Sequence, residues 1–487
     1  MKKLAYTFSI LLMTCGAFAQ DLTDALRYSD HRISGTARSE AMGNAFGALG
    51  GDFSSLSINP AGLGVYRSGE FTFSTSVGKT SIDGTYLGRT ENDSRYNVGI
   101  NNLGYVVTIP SGQNSESGLV SVSFGFGFNR LASFSMNSFA QGENAQNSLL
   151  DYFTNNANSG NYSDYYEDLA VRSNLLFFKD NGPYQNDLTN AGFGQSQQKT
   201  IDSKGHINEW LISLGANFNH KFYVGATIGI LDVIFRENAN LYEWDAKKNI
   251  PFFNNYDFNT YLKDTGTGYN LKIGAIYKPI ENLRLGLAFH TPTFYKFNEE
   301  YDSGIRSSIT YEDGVTEDLS KKPDKPGAYD FEMETPLKTI LSAAYVVGKS
   351  GLISVDYEIV DFSTAKLKSV YSEDNFNVEN QTIKRTYRTV GNLHIGGELR
   401  VNSVFSLRAG YENYPSAFKS NYMNNIANSS SVSGGFGFKQ GDFFFDASMK
   451  RNISENYVKI YPDPSAYEMI KNSVTKNNVI FTLGYKF

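Results

Sequence analysis

The chain has 487 residues, 14% aromatic, 40% hydrophobic and only 19% charged, with 45 glycines, one cysteine and a formal net charge of −6. This balance excludes a disordered chain, a disulfide scaffold or cysteine zinc cluster, and a nucleic-acid binder, which needs a basic footprint. Past the N-terminus no apolar run of about 18 residues occurs, so a helical membrane protein is excluded too. An all-β, transmembrane antiparallel β-barrel fits the remainder: mean hydropathy is only −0.35 because alternate residues of each strand face lipid and lumen.

Met1-Lys2-Lys3, the apolar Leu4 to Thr14 and the Ala17-Phe18-Ala19 cleavage pattern read as a secretory signal peptide over residues 1–19. A lipoprotein at Cys15 fits poorly, because Thr14 precedes it. Residues 20–69 show no alternation. They carry the small-residue stretch Thr36 to Leu49, then Gly50-Gly51-Asp52 and Asn59-Pro60-Ala61-Gly62-Leu63. Small residues let backbones pack closely, which suits a hatch, or plug, inside a lumen. A phosphate loop is excluded, since G-x-x-x-x-G-K-[ST] does not occur.

Residues 70–487 read as the barrel, with about fourteen strands. They start near Glu70, Asn97, Gly118, His206, Phe222, Thr267, Leu283, Asp330, Leu352, Arg388, Val404, Ser430, Asp442 and Asn477. Each alternates with period two; the last sets Val479, Phe481, Leu483, Tyr485 and Phe487 against Thr482, Gly484 and Lys486. Short connections such as Asn219-His220-Lys221 alternate with long ones such as Thr80 to Tyr96, Asn129 to Gly205 and Asn238 to Gly266. Short periplasmic turns and long extracellular loops give that parity, with both termini in the periplasm.

The loop from Asn129 to Gly205 holds apolar groups at Leu149, Leu150, Tyr152 and Phe153, and again at Leu175, Leu176, Phe177 and Phe178. Their plain reading is packing on the barrel rim or on each other. Arg284 and His290 share a predicted lumen face; they would hold a ligand carboxylate or belong to a lumen charge network. The five histidines show no metal-ligand spacing, and no catalytic motif with a mechanism occurs, so the expectation is no enzyme, no metal and no cofactor. The terminal Phe487, closing an alternating aromatic strand, fits a signal read by the barrel-assembly machinery.

The stretch ARSEAMGNAFGALGGDFSSLSINPAGL (Ala37 to Leu63) is similar to the hatch of the FadL/OmpP1/TodX family of outer-membrane transporters. LKIGAIYKPIENLRLGLAFHTPTFY (Leu271 to Tyr295), DYEIVDFS (Asp356 to Ser363) and LRAGYE (Leu407 to Glu412) add to the resemblance. It implies a fourteen-stranded barrel in a Gram-negative outer membrane, surrounded by its lipid and occluded by an N-terminal hatch. Its partners would be hydrophobic small molecules such as long-chain fatty acids. The ligand would be captured by extracellular loops, passed to a lumenal pocket near the hatch, and released sideways beside a kinked third strand near Gly118 to Phe128, where Gly125 and Gly127 would weaken pairing. Asn59, Pro60 and Ala61 form the hatch motif. Candidate ligand contacts are Phe46, Leu49, Phe53, Leu149, Leu150, Phe153, Leu176, Phe177, Arg284 and His290. The alternatives are a secretion-associated barrel that docks a protein partner and a general porin, against which the hatch argues.

Overall fold

The structure is a computed structural model describing residues 22–112, 118–178, 182–371, 375–419, 428–461 and 469–487, so the signal peptide lies outside the described residues. Nineteen strand segments make one antiparallel sheet. Several are successive pieces of one strand, and together with a short hairpin arm at Thr316–Lys321 they form a closed barrel of 14 strands. We number these β1 (Glu70–Tyr86), β2 (Arg89–Pro110), β3 (Leu119–Ser133, continued at Met136–Gly142), β4 (Ser196–Phe218), β5 (Phe222–Trp244), β6 (Phe253–Ile280) and β7 (Leu283–His290, continued at Phe294–Thr310). Then follow β8 (Gly327–Glu334, continued at Lys338–Val347), β9 (Gly351–Asp361, continued at Lys366–Ser369), β10 (Thr389–Arg400), β11 (Phe405–Tyr414), β12 (Ser429–Gln440), β13 (Phe443–Lys459) and β14 (Met469–Lys486). Closure comes from β1, where Glu70 pairs with Val106 on one side and Lys486 on the other. Phe487 finishes the seam: its backbone exchanges hydrogen bonds with Gly69 (2.9 and 3.1 Å), and its ring stacks on Tyr105 at 5.7 Å.

The pleat settles which face is which. In β4, Trp210, Ile212 and Leu214 are exposed while Glu209, Leu211 and Ser213 are buried. In β14, Phe481, Leu483 and Tyr485 are exposed against buried Ile480 and Thr482. Large apolar side chains therefore face out around the wall, and Glu209, Lys272, Asp356, Glu398, Glu412 and Asp446 are buried inside. Water could not tolerate so extended an apolar exterior; acyl chains can.

Two expected loops are instead strands. The stretch Thr80 to Tyr96 continues the β1–β2 ladder as far as Tyr86↔Arg89 and turns at Leu87-Gly88, both with positive φ. Asn238 to Gly266 is mostly the upper parts of β5 and β6. Above the membrane both faces of a strand meet polar surroundings, so apolar alternation stops while the backbone ladder continues. The alternation at Asn97, His206, Thr267 and Asn477 marks entry into the apolar band rather than strand starts.

Ahead of β1, residues 22–69 fold into short helices α1 (Leu22–Arg27), α2 (Ala37–Ala41), α3 (Ser55–Ile58) and a 3-10 turn at Pro60–Val65. Thr36 caps α2 by accepting from Ser39 N. This hatch packs against the inner wall, α2 on β11 to β14 and the 3-10 turn on β3 to β6. Three further helices, α4 (Leu149–Asn158), α5 (Glu167–Arg172) and α6 (Asp187–Ala191), lie between β3 and β4, and α7 (Asn377–Thr386) lies between β9 and β10.

Candidate functional site: a corked lumen with a gap in its wall

The seat of the hatch is built from glycine. A Cβ on Gly225 would stand 2.2 Å from Pro60 O, on Gly274 1.9 Å from Asn59 Oδ1, on Gly286 2.3 Å from Gly47 O, on Gly396 2.2 Å from Met42 O, and on Gly410 2.1 Å from Gly43 N. No side chain fits at such distances, so hatch backbone lies directly on wall backbone at four of these strands, and the Asn59 side chain and Pro60 ring lie on β6 at Gly274. Asn59 fixes the register. Its Oδ1 accepts from Ala61 N (3.1 Å), and its Nδ2 donates to Gly47 O (2.6 Å) and to Ala275 O of β6 (3.2 Å). Pro60 opens the 3-10 turn at a position that needs no N–H donor.

Polar clamps complete the seat. Asp356 Oδ2 accepts from Gly47 N (2.7 Å), Arg284 Nη1 donates to Leu49 O (2.6 Å), His290 Nε2 bonds Ile58 O (2.8 Å) and His394 Nδ1 bonds Gly43 O (2.9 Å). Arg38 pairs with Glu398 (3.0 Å), which also holds Arg408 (2.8 Å), and Lys450 bridges Glu40 of α2 (3.0 Å) and Glu412 of β11 (2.8 Å). In the Arg38–Glu398–Arg408 and Glu40–Lys450–Glu412 groups the buried charges are paired, as burial demands.

Above the seat, the lumen is apolar on one side. Tyr28 and Ala25 pack with Phe235, Tyr295, Phe297 and Phe331 in a buried cluster. Beside this cluster lies a cavity of about 70 Å³, lined by His31, His290, His394, Lys272, Lys338 and Glu209 among others. Lys272 and Glu209 form a buried ion pair. Burial, with Lys338 and Lys272 nearby, pushes the His31 imidazole down to about 3. The folded protein thus disfavours protonated His31, while the unfolded chain takes up the proton near the ordinary value of 6.5. Stability from this residue is full above that value and falls as pH drops below it. Lowering the pH from 7.5 to 4.5 is therefore expected to lower the unfolding midpoint, read by heat-modifiable gel mobility, and His31→Gln is expected to lose part of that acid dependence. Equal pH profiles for the two proteins would remove the assignment.

The wall itself is incomplete. Between β2 and β3 the ladder runs only from Asn102↔Asn129 to Pro110↔Ser121. Beyond it, β2 pairs with β1 alone. The β3 chain shifts register between Arg130 and Ala132, breaks at Phe134-Ser135, and resumes at Met136 paired with β4 alone. This upper part of β3 passes across β1 and β2. Ser133 Oγ accepts from Asn97 Nδ2 (3.0 Å), Ser135 O accepts from Thr80 Oγ1 (3.4 Å), and Phe139 O lies 2.5 Å from where a Cβ on Gly84 would stand. The hatch supplies the missing partner for the β3 edge: Ser34 N donates to Arg130 O (2.8 Å) and Arg32 N to Leu131 O (3.1 Å). Behind the gap is a cavity of about 520 Å³, bordered by Leu26, Ile33, Asn97, Asn101, Arg130 and Phe134 among others. The bend thus lies beyond the segment expected from sequence. Gly125 and Gly127 remain paired with Val106 and Gly104; their missing side chains make room for Leu56 and Phe53 of the hatch.

The profile of the family described as outer membrane protein transport protein (OMPP1/FadL/TodX) matches residues 195–486. The chain belongs to this family. Its fold is similar to that of a Pseudomonas aeruginosa FadL homologue (TM-score 0.56, 13% identity, 94% of this chain and 99% of that one). It is similar also to the Pseudomonas putida toluene transporter TodX (TM-score 0.51, 15% identity, 94% and 100%) and to a TodX deltaS2 mutant described as a monoaromatic hydrocarbon channel (TM-score 0.52, 14% identity, 93% and 98%). No curated protein sequence matches it. Membership assigns the protein to outer-membrane transport by a β-barrel.

Within this FadL/OmpP1/TodX barrel, the ten residues singled out from sequence separate into three places. Phe46 and Leu49 pack with Met42, Ile340 and Ala344, while Phe53 packs with Leu56, Leu63 and Val106, all inside the hatch seat. Arg284 and His290 hold hatch carbonyls. Leu149, Leu150, Phe153 and Leu176 are buried together with Leu169, Tyr256, Phe258 and Ile305 in a core at the long-loop end of the barrel. Phe177 is half-buried in a two-residue ladder opposite Gln185. The gap-lining residues were missed, because they come from the hatch, β2 and the upper part of β3, and only the folded barrel brings them together. The seat glycines were visible only as single inward glycines on β5, β6, β7, β10 and β11.

Proposed function

We propose that this outer-membrane barrel is a passive channel for hydrophobic molecules such as long-chain fatty acids, delivered through the gap between β2 and β3 into the membrane. The observation that carries this reading is the wall: the direct way down is filled by a hatch seated backbone on backbone, whereas the β2–β3 ladder stops at Asn102↔Asn129 over a cavity. A greasy solute gains nothing from a hydrated exit and much from acyl chains. The structural neighbours named for FadL and for toluene transport favour the same class of cargo. In this reading the signal peptide is cleaved after Ala19, residues 20–69 serve as the hatch domain of a 70–487 barrel, and the strand ending in Phe487 is what the assembly machinery engages. The extracellular helices α4 to α6 form the mouth that first meets ligand. The test is reconstitution in liposomes: a fluorescent long-chain fatty acid is expected to load at least ten-fold faster than into protein-free vesicles while sugars stay out. Free passage of sugars without acceleration of the fatty acid would contradict it.

A further inference from the structure

We propose that the outer wall of the barrel carries, at its long-loop end, a docking site for the phosphorylated oligosaccharide of a membrane glycolipid. The site is a row of cations on β4 to β6 with a polar groove above it on β4 to β7. It lies on the lipid-facing side of the wall, away from the hatch, the lumen and the gap, and does not depend on the channel reading.

Cross-strand register places it. Trp210, Ile230, Tyr269 and Phe294 stand side by side on the outward pleat of β4, β5, β6 and β7. Trp210, Tyr269 and Phe294 are exposed, and the row ends the apolar band. The next outward row already holds Asn208, Asp232, Thr267 and Lys296. Further up the same pleat Lys204 faces Arg236, and Arg236 faces Lys263. Cross-strand Cβ atoms sit about 5 Å apart, and like charges set opposite each other cost stability. Lys204 reaches Asp202 (3.5 Å) and Lys263 reaches Glu300 (2.9 Å), but no carboxylate of the described residues lies within 4.0 Å of Arg236. A bound anion offsets that repulsion.

Immediately above the cations lies an open groove of about 550 Å³. Its floor is the outward pleat of the same strands, with Thr200 and Asp202 on β4, Asn238 and Asn240 on β5, and Asn259 and Tyr261 on β6. The end of the hairpin arm forms one rim, where Lys322 Cγ lies 3.5 Å from where a Cβ on Gly304 would stand. Charges in the groove balance: Arg306, Lys321 and Lys322 against Asp93, Asp202 and Asp302. Asn240 Oδ1 is buried with no hydrogen-bond partner among the described residues, an acceptor that a sugar hydroxyl would satisfy. Amides, carboxylates and a phenol at balanced charge suit neutral hydroxyls. The row beneath suits phosphate, which takes charge-assisted hydrogen bonds from Arg and Lys.

Height selects the kind of lipid. From Trp210 to Lys204 the strand rises about 20 Å at ~3.3 Å per residue, a height of roughly 15 Å for a strand tilted by ~40°. The polar layer of a phospholipid leaflet is only ~5–8 Å deep. A phospholipid head therefore falls short of the row and further short of the groove. A lipid whose head is a chain of sugars passes both, with its phosphates at the cations and its neutral sugars in the groove.

The test uses lipopolysaccharide stripped of its acyl chains, either phosphorylated or phosphatase-treated, binding to the full-length barrel in phospholipid nanodiscs. The phosphorylated probe is expected to bind at least ten-fold tighter than the treated one. Lys204→Gln, Arg236→Gln is expected to weaken the phosphorylated probe at least ten-fold and leave the treated one unchanged, whereas Asn238→Ala, Asn240→Ala is expected to weaken both. Heat-modifiable mobility reports that each variant is folded. Intact lipopolysaccharide in the nanodisc is expected to stay with the parent barrel through exchange against excess phosphatidylglycerol. Failure of the parent to bind the phosphorylated probe, or equal binding by the folded cation variant, would overturn the site. Displacement by phosphatidylglycerol would show a plain anion patch, and binding of the stripped probe without retention of the intact lipid would show a site for soluble glycan; either contradicts a glycolipid dock.

Discussion

Closing the gap with a disulfide is expected to stop transport. In the double variant Asn97→Cys, Ser133→Cys, the two new thiols replace side chains already joined by a 3.0 Å hydrogen bond across the opening. That proximity suits a cross-link, which needs facing Cβ atoms about 3.5–4.5 Å apart. The lower β2–β3 ladder, the hatch and helices α4 to α6 are untouched, so the barrel should fold as before. Oxidised protein is expected to pass a fluorescent fatty acid at less than a tenth of the parent rate, and a reducing agent is expected to restore it. The size of the effect follows from geometry rather than from a binding energy: Asn97 and Ser133 sit on the two edges the ladder leaves unpaired. Each single cysteine variant should transport normally, which separates closure from damage.

The second large effect concerns the hatch. Gly274→Val is expected to unseat it, because the added Cβ would stand 1.9 Å from Asn59 Oδ1 and 3.3 Å from Pro60 Cδ. Overfilling a packed interior costs about 1–3 kcal/mol when side chains can shift; here the obstacle includes a proline ring and an asparagine tied to two carbonyls, and little can give. The β6 ladder to β5 and β7 runs through backbone atoms and survives. The expected outcome is a folded barrel with a loosened cork: single-channel conductance in planar bilayers, near baseline for the parent, should rise at least ten-fold. Gly78→Val is the matched control, since that site meets only Asn478 and Asn477 atoms and no hatch atom. A closed Gly274→Val barrel would show that the glycine seat does not hold the hatch.

How far the sequence reveals this molecule depends on whether a residue's role is local. Alternation of Val479, Phe481, Leu483 and Tyr485 is a local consequence of lipid on one face, so the apolar band of nearly every strand could be read directly. The upper strands could not be. Thr80 to Tyr96 has polar residues on both faces, and only the ladder to its partner shows it to be a hairpin. The site was less legible still. Gly274 reads like any strand glycine until Asn59 is placed against it, more than two hundred residues away in sequence. Arg284 and His290 read as lumen groups, which they are; that their partners are the carbonyls of Leu49 and Ile58 is set by closure of the whole barrel. The gap depends on a register shift at Arg130, which leaves no mark in composition.

The most direct measurement of the central claim, exit through the wall rather than past the hatch, compares fatty-acid transport by two cross-linked proteins. One is the gap-locked pair Asn97→Cys, Ser133→Cys. The other ties the hatch to β3 through Ser57→Cys, Asn129→Cys, whose parent side chains meet at 2.9 Å. The account predicts transport abolished in the first and retained in the second; transport through the locked gap, with loss on tying the hatch, would contradict it.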